Sequence, residues 1–267
     1  MEIRGVDFSG ASEPGDDIWI TEGSWDGDRL TVRRCRSATE VFGATGRTTV
    51  LNRLREYLAS EPGTSGLDVS FGLPDTLLPD CETWRETLEW FEAAFAAASA
   101  DEMREELKRR ARASDADGVE LKRRTDDAVG ANSPYSFITY YQTLYGIREV
   151  VAPLVADGRV AVPPMQPADE RNLIEIYPAG TLRRLDTVDE TYKDGAADAR
   201  RRRKTILNAL VESTPLELAD GIRERAVSET GGDALDSIVA AVATARAVRR
   251  DFDPDGDFDE REGCIFV

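Results

Sequence analysis

Apolar and polar positions alternate with two distinct periods along the chain, and the changes of period mark out its elements. Glu2 to Phe8 is a short, mostly apolar run that reads as a buried strand, and it delivers Asp7 into the turn Ser9-Gly10-Ala11. Ile18 to Glu22 and Leu30 to Cys35 read as two more strands about a tight reversal at Gly27-Asp28, which predicts an antiparallel meander of three. Val50, Leu51, Leu54, Tyr57 and Leu58 then recur at helical spacing, predicting a helix over 48–58 that Pro62-Gly63 ends. Leu67 to Phe71 follows as a fourth strand, broken by Gly72-Leu73-Pro74. A strand-helix-strand crossover implies parallel pairing, most simply with the first strand, and that pairing places Asp68 beside Asp7.

Between Thr76 and about Asp157 the pattern becomes helical. Helices are expected over 83–98, 100–113 and 134–154, the last opened by Ser133-Pro134, with a charged stretch over 115–127 between the second and third. Tyr135, Tyr140, Tyr141 and Tyr145 lie in or beside the third. Such rings can stack nucleobases, but aromatics at helical spacing are ordinarily core, so they are not counted among the site residues. Leu173 to Pro178 is a fifth strand, with Glu175 on the face opposite Ile174 and Ile176. A basic helix over 198–211 precedes a small-residue helix that begins near Gly231-Gly232-Asp233 and is suited to close packing on a sheet. The expectation is an α/β fold: one domain over 1–267, a five-stranded mixed sheet flanked by helices, and a helical insertion at about 76–157 between strands four and five.

Charge changes this picture more than hydrophobicity does. The formal net charge is −17, and of 34 basic residues only Lys108, Lys122, Lys193 and Lys204 are lysines. This balance resembles that of proteins from halophilic organisms, where salt shortens the Debye length to about 3 Å at 1 M and surface carboxylates maintain solubility. Such acidity disfavours general coating of duplex DNA, so nucleic acid would be held locally. The run Arg200 to Lys204 is one local candidate, although a solvated helix face is the ordinary reading of such a run. Cys35, Cys81 and Cys264 show no CxxC spacing, which disfavours structural zinc or a secreted disulfide framework and points to a reducing cytoplasm. Neither a charged leader with an apolar run nor an apolar stretch of about 18 residues is present, so no membrane partner is expected. Histidine is absent, which excludes Ser-His-Asp and Cys-His catalysis and His-ligated zinc.

Carboxylates are therefore the candidate chemistry. Asp7 ends a strand, Asp68 is brought to it by the crossover, and Asp233 and Asp236 stand three apart, hence on one side of a helix. The pair has a structural reading too, Asp233 as helix cap and Asp236 as a first-turn acid favoured by the helix dipole. Glu175 reads equally as part of a solvated outer face.

The blocks Val6-Asp7-Phe8-Ser9-Gly10-Ala11, Leu67-Asp68-Val69-Ser70-Phe71, Glu175-Ile176-Tyr177-Pro178 and Asp233-Ala234-Leu235-Asp236, with the closing Arg261 to Phe266, resemble the DUF429 family, whose members are predicted ribonuclease H-like nucleases. The resemblance implies a ribonuclease H-like fold and catalytic acids at Asp7, Asp68, Asp233 and Asp236, as in Holliday-junction resolvases. Those four would hold Mg²⁺ or Mn²⁺, while Glu175 completes the cluster or orients a ligand. Lys193, Arg200 and Lys204 are candidates for contacting substrate phosphate. The implied activity is two-metal hydrolysis of phosphodiesters in DNA or RNA, branched substrates included. The alternatives are a non-catalytic module that binds nucleic acid or protein, and an actin-like nucleotide phosphotransferase suggested by Asp7-Phe8-Ser9-Gly10.

Overall fold

The computed structural model describes residues 1–267. Strands β1 (Glu2–Asp7), β2 (Trp19–Trp25) and β3 (Leu30–Ser37) form the meander, and α1 (Ala38–Phe42) and α2 (Arg47–Leu58) lead into β4 (Gly63–Asp68). Helices α3 (Trp84–Phe95), α4 (Ala100–Ala113), α5 (Arg124–Val129), α6 (Tyr140–Gly146) and α7 (Ala152–Ala156) separate β4 from β5 (Arg171–Ile176). Then come α8 (Pro178–Arg184), α9 (Ala197–Ser213), β6 (Leu216–Leu218), α10 (Ile222–Ser228), α11 (Asp233–Arg249) and β7 (Ile265–Phe266). The sheet order is β6-β3-β2-β1-β4-β5-β7. Strands β1, β2 and β3 pair antiparallel, and β4 lies parallel to both β1 and β5.

The sheet thus has seven strands, not the expected five. Both additions are parallel edge strands, β6 beside β3 and β7 beside β5. They contain three and two residues, too few to display a period of two. A second departure is the helix expected from Pro134, which begins at Tyr140. Thr139 Oγ1 donates to the Ser133 carbonyl at 2.6 Å and pairs with Ser136 Oγ at 2.9 Å. Hydroxyl bonds of this kind compete with helix formation, so 133–139 turns instead. Ile147–Val151 continues α6 into α7 as a π-helical turn.

Helices cover both faces of the sheet. Val6 and Leu67 face a core shared with Leu51, Leu54, Leu144 and Ile147, whereas Ile3 joins Leu235, Ile238 and Val242 of α11 on the other side. Helix α11 lies directly across β1 and β4 because those strands present glycines beneath it. A Cβ on Gly5 would stand 2.2 Å from the Ser237 carbonyl oxygen and the Ala241 nitrogen, and one on Gly66 2.1 Å from Thr244 Oγ1. Asp7 and Asp68 lie two residues beyond these glycines, so both carboxylates rise on the α11 side. Backbone atoms cannot yield as a side-chain tip can, so Gly5→Ala is expected to cost about 3 kcal/mol or more. Urea unfolding checks this, and a loss under about 1 kcal/mol would mean that the helix seat is soft.

Candidate active site

Asp7 and Asp68 are register partners at the carboxyl ends of neighbouring parallel strands, where open α/β sheets ordinarily bind ligands. Adjacent strands are about 4.8 Å apart, so the crossover has brought the two acids side by side. Helix α11 supplies two more. Its N-cap is Gly232, in the left-handed region at φ 85°, and Asp233 is the first helical residue, with no capping hydrogen bond from its side chain. Glu229 caps instead, accepting from the amides of Gly231 and Ala234. Asp233 is thereby free to face an open cleft of about 860 Å³, together with Asp7, Asp68, Glu175 and Lys193. The opposite wall includes Tyr141 and Gln142, and Gln142 ties it to β1 by donating to the Phe8 carbonyl at 2.5 Å.

Asp236 stands behind this row. It is buried, Tyr192 donates its hydroxyl to Oδ1 at 2.8 Å, and Lys193 Nζ lies 2.5 Å from Oδ2. Lys193 is placed by the basic helix in a way its sequence does not announce. Within that arginine run Arg203 is buried, and its guanidinium donates to the carbonyls of Tyr192 and Asp194, the two neighbours of Lys193, and to that of Val227. Arg200 and Lys204 turn away from the cleft and line a separate surface recess, with Arg200 paired to Glu224 at 2.9 Å. The structure therefore does not bring Arg200 or Lys204 to the acid site, whereas Lys193 stands in it, bound to an acid.

The electrostatics follow from this packing. Burial pushes the Asp7 carboxyl well up, and the charges on Asp236, Asp233 and Asp68 push it further, with only Lys193 opposing. Asp68 is raised to about 7, first by burial and then by Asp236 and Glu175, again against Lys193. Asp233 is raised to about 6, also chiefly by burial. Lys193 is held charged above its ordinary range by Asp236 and Asp7, which outweigh its own desolvation. Coulomb interactions and burial shape all three raised acids, and no hydrogen bond relieves them.

This donor set suits a hard cation: three carboxylates facing one cleft, each with oxygens uncommitted to protein donors. No three acids are gathered tightly enough to ligate one ion as they stand. The positive charge that moderates all of them belongs to Lys193. A group whose folded pKa is raised stabilises the fold below its unfolded value and loses that contribution as pH rises through the folded one. The metal-free protein is therefore expected to melt lower at pH 8 than at pH 5.5, with a smaller difference in Asp68→Asn. Equal slopes in the two proteins by calorimetry would remove Asp68 from the cluster.

Glu175 belongs to the face opposite Asp7 and Asp68, as its alternation with Ile174 and Ile176 requires, but that face is neither solvated nor free. Arg123, buried, reaches both Glu175 oxygens at 2.5 and 2.8 Å and Asp126 at 2.7 Å, and the Phe71 amide donates to Glu175 at 2.8 Å. Glu175 is a member of an ion triad that fixes the cleft floor, not an open fifth acid. Arg123, Asp126 and Tyr192 escaped the sequence reading; Arg123 and Asp126 sit in a charged stretch without periodicity, and their value depends on a partner about 50 residues away. Arg123→Met leaves two buried carboxylates uncompensated and is expected to cost about 3 to 5 kcal/mol. Chemical denaturation reads this, and a loss below about 1 kcal/mol would contradict it.

Fold and site define a mixed α/β protein with a seven-stranded sheet and an acid-lined cleft at the carboxyl ends of its central parallel strands. The chain belongs to the family described as protein of unknown function (DUF429), whose model matches residues 26–252. No curated protein and no solved structure matches it. No helix is long and apolar enough to cross a membrane, and all three cysteines are free and buried.

Proposed function

We propose that this protein is a divalent-metal-dependent phosphodiesterase acting on nucleic acid, built on a ribonuclease H-like core. The observation carrying this reading is the convergence of Asp7, Asp68 and Asp233, from β1, β4 and α11, on one cleft wall with no internal hydrogen-bond donors. An antiparallel meander, parallel fourth and fifth strands and a late helix laid across them agree with a ribonuclease H-like arrangement.

In this reading the side chains of Asp7, Asp68 and Asp233, too far apart to ligate one ion as they stand, draw together around Mg²⁺ or Mn²⁺. When bound, the cations would activate water and stabilise charge on the reacting phosphate and the departing oxygen. The protein's part is positional. Tyr192 and Lys193 fix Asp236 behind the site, Arg203 fixes the segment carrying Lys193, and the Arg123 triad holds the floor. The half-exposed Lys193 side chain offers a cation to a phosphate oxygen in the cleft.

The Lys193–Asp236 pair also favours a second reading, a nucleic-acid binding module in which that lysine supplies the charge and no metal is needed. Cleavage of branched, duplex and single-stranded DNA and RNA separates the two, assayed with Mn²⁺ or Mg²⁺ in 1 M KCl. The nuclease reading expects metal-dependent cutting of at least one substrate. Binding without cutting across the panel would leave the module.

A further inference from the structure

At the rim of the cleft facing the acids lies apolar surface that the fold does not use, with Ile138 and Tyr141 lining the cleft and Phe137 next to them outside it. Of the five large hydrophobic side chains left exposed in the chain, three are neighbours here: Phe137 at 74%, Ile138 at 73% and Tyr141 at 40%. They are held outward, not left loose. Besides the Ser133, Ser136 and Thr139 bonds, Thr143 Oγ1 donates to the Pro134 carbonyl at 2.5 Å, clamping the turn that carries Phe137 and Ile138. Rings continue behind them, with Phe137 stacked on Tyr140 at 6.3 Å and Tyr141 on Tyr145 at 6.3 Å. Arginines overlie this row: Arg47 lies 3.7 Å from the Tyr145 ring centre, and Arg104 5.7 Å from that of Phe137. Arg47, Ile138 and Tyr141 line the same cleft as Asp7 and Asp68.

From this arrangement, and resting on the phosphodiesterase reading, we infer that Phe137 and Tyr141 form a stacking platform for unpaired bases, making single-stranded nucleic acid the substrate class. Base faces stack on rings whatever the sequence, and the Arg47 guanidinium in the same cleft complements the phosphates beside the bases. On a chain with net charge −17, Arg47, which lines the cleft and pairs with no acid, is a local exception to the overall sign, whereas Arg104 is already paired with Glu120 at 2.7 Å. Paired bases already stack on one another, so intact duplex cannot present its faces to this wall.

The test is fluorescence anisotropy with a labelled dT 12-mer and an abasic 12-mer of equal charge, in Ca²⁺ and 0.5 M KCl. The intact strand should bind about 5- to 150-fold more tightly than the abasic one. The double variant Phe137→Ala/Tyr141→Ala should bring the intact strand down to the abasic level and leave abasic binding unchanged. Both side chains are exposed, so an unaltered melting temperature should accompany the loss. Equal binding of intact and abasic strands by the wild type overturns the platform. So does an absence of oligonucleotide binding combined with a dimer in sedimentation that the double variant dissociates, which assigns the patch to a second copy of this chain. Binding is read apart from cleavage: a protein that grips dT through these rings without cutting keeps the platform and loses the phosphodiesterase reading. One that cuts strands but binds abasic and intact DNA alike does the reverse.

Discussion

Asp7→Asn is expected to lower metal-dependent cleavage at least about a hundredfold while leaving the fold intact. The substitution keeps the size of the side chain but removes one anionic ligand. Bound metal supplies several kcal/mol of charge stabilisation, and each 1.36 kcal/mol is a factor of ten in rate. Stability should not fall with activity, because Asp7 is held at a desolvated position amid three other acids and pays for its charge there. Removing that charge relieves repulsion, so the variant should melt at or above the wild-type temperature without metal. Cleavage retained in both Asp7→Asn and Asp68→Asn would assign the activity to another site or another protein.

Lys193→Met is expected to move metal affinity and catalysis in opposite directions. Its ammonium pairs with Asp236 and moderates Asp7, Asp68 and Asp233, so an arriving divalent ion must compete with it. Two unit charges 4 Å apart interact by about 4 kcal/mol at an effective dielectric near 20, so even partial relief amounts to tenfold or more in affinity. The comparison belongs at pH 8.5: removing Lys193 raises the neighbouring acids, and at pH 7 protons would mask the gain. Mn²⁺ should bind the variant at least about tenfold more tightly by calorimetric titration. Cleavage should meanwhile fall, because the cation facing the phosphate is gone. Weaker Mn²⁺ binding in the variant would mean that Lys193 orders the acids instead of competing for their place.

The acid pair was legible in the sequence because its geometry is local logic. A strand ending near Asp7, a helix and a following strand that carries Asp68 admit one simple pairing, which sets the two side by side. That strand runs over Gly63–Asp68, ahead of the expected 67–71, so Asp68 closes it instead of opening it. The spacing of Asp233 and Asp236 located both near the site, but it could not tell the cleft-facing acid from the one held by Tyr192 and Lys193. The side of the sheet taken by Glu175 was legible from alternation. Its partner was not, because Arg123 reaches it across 52 positions from a stretch with no period. The basic run misled in a similar way: Arg203 folds inward to carbonyl oxygens while Arg200 meets Glu224 at the surface, a division set by tertiary packing. Serine and threonine hydroxyls undid the helix expected from Pro134, and the same turn turned Phe137 and Ile138 outward.

The most direct measurement of the central claim, that Asp7, Asp68 and Asp233 together hold a divalent cation, is a Mn²⁺ titration followed by electron paramagnetic resonance. It is run in 1 M KCl at pH 8, where weak binding to the general acidic surface is screened. The account predicts saturable binding in the wild type that is weakened strongly in each of Asp7→Asn, Asp68→Asn and Asp233→Asn. Saturable binding that is the same in all four proteins, or none in the wild type, would contradict it.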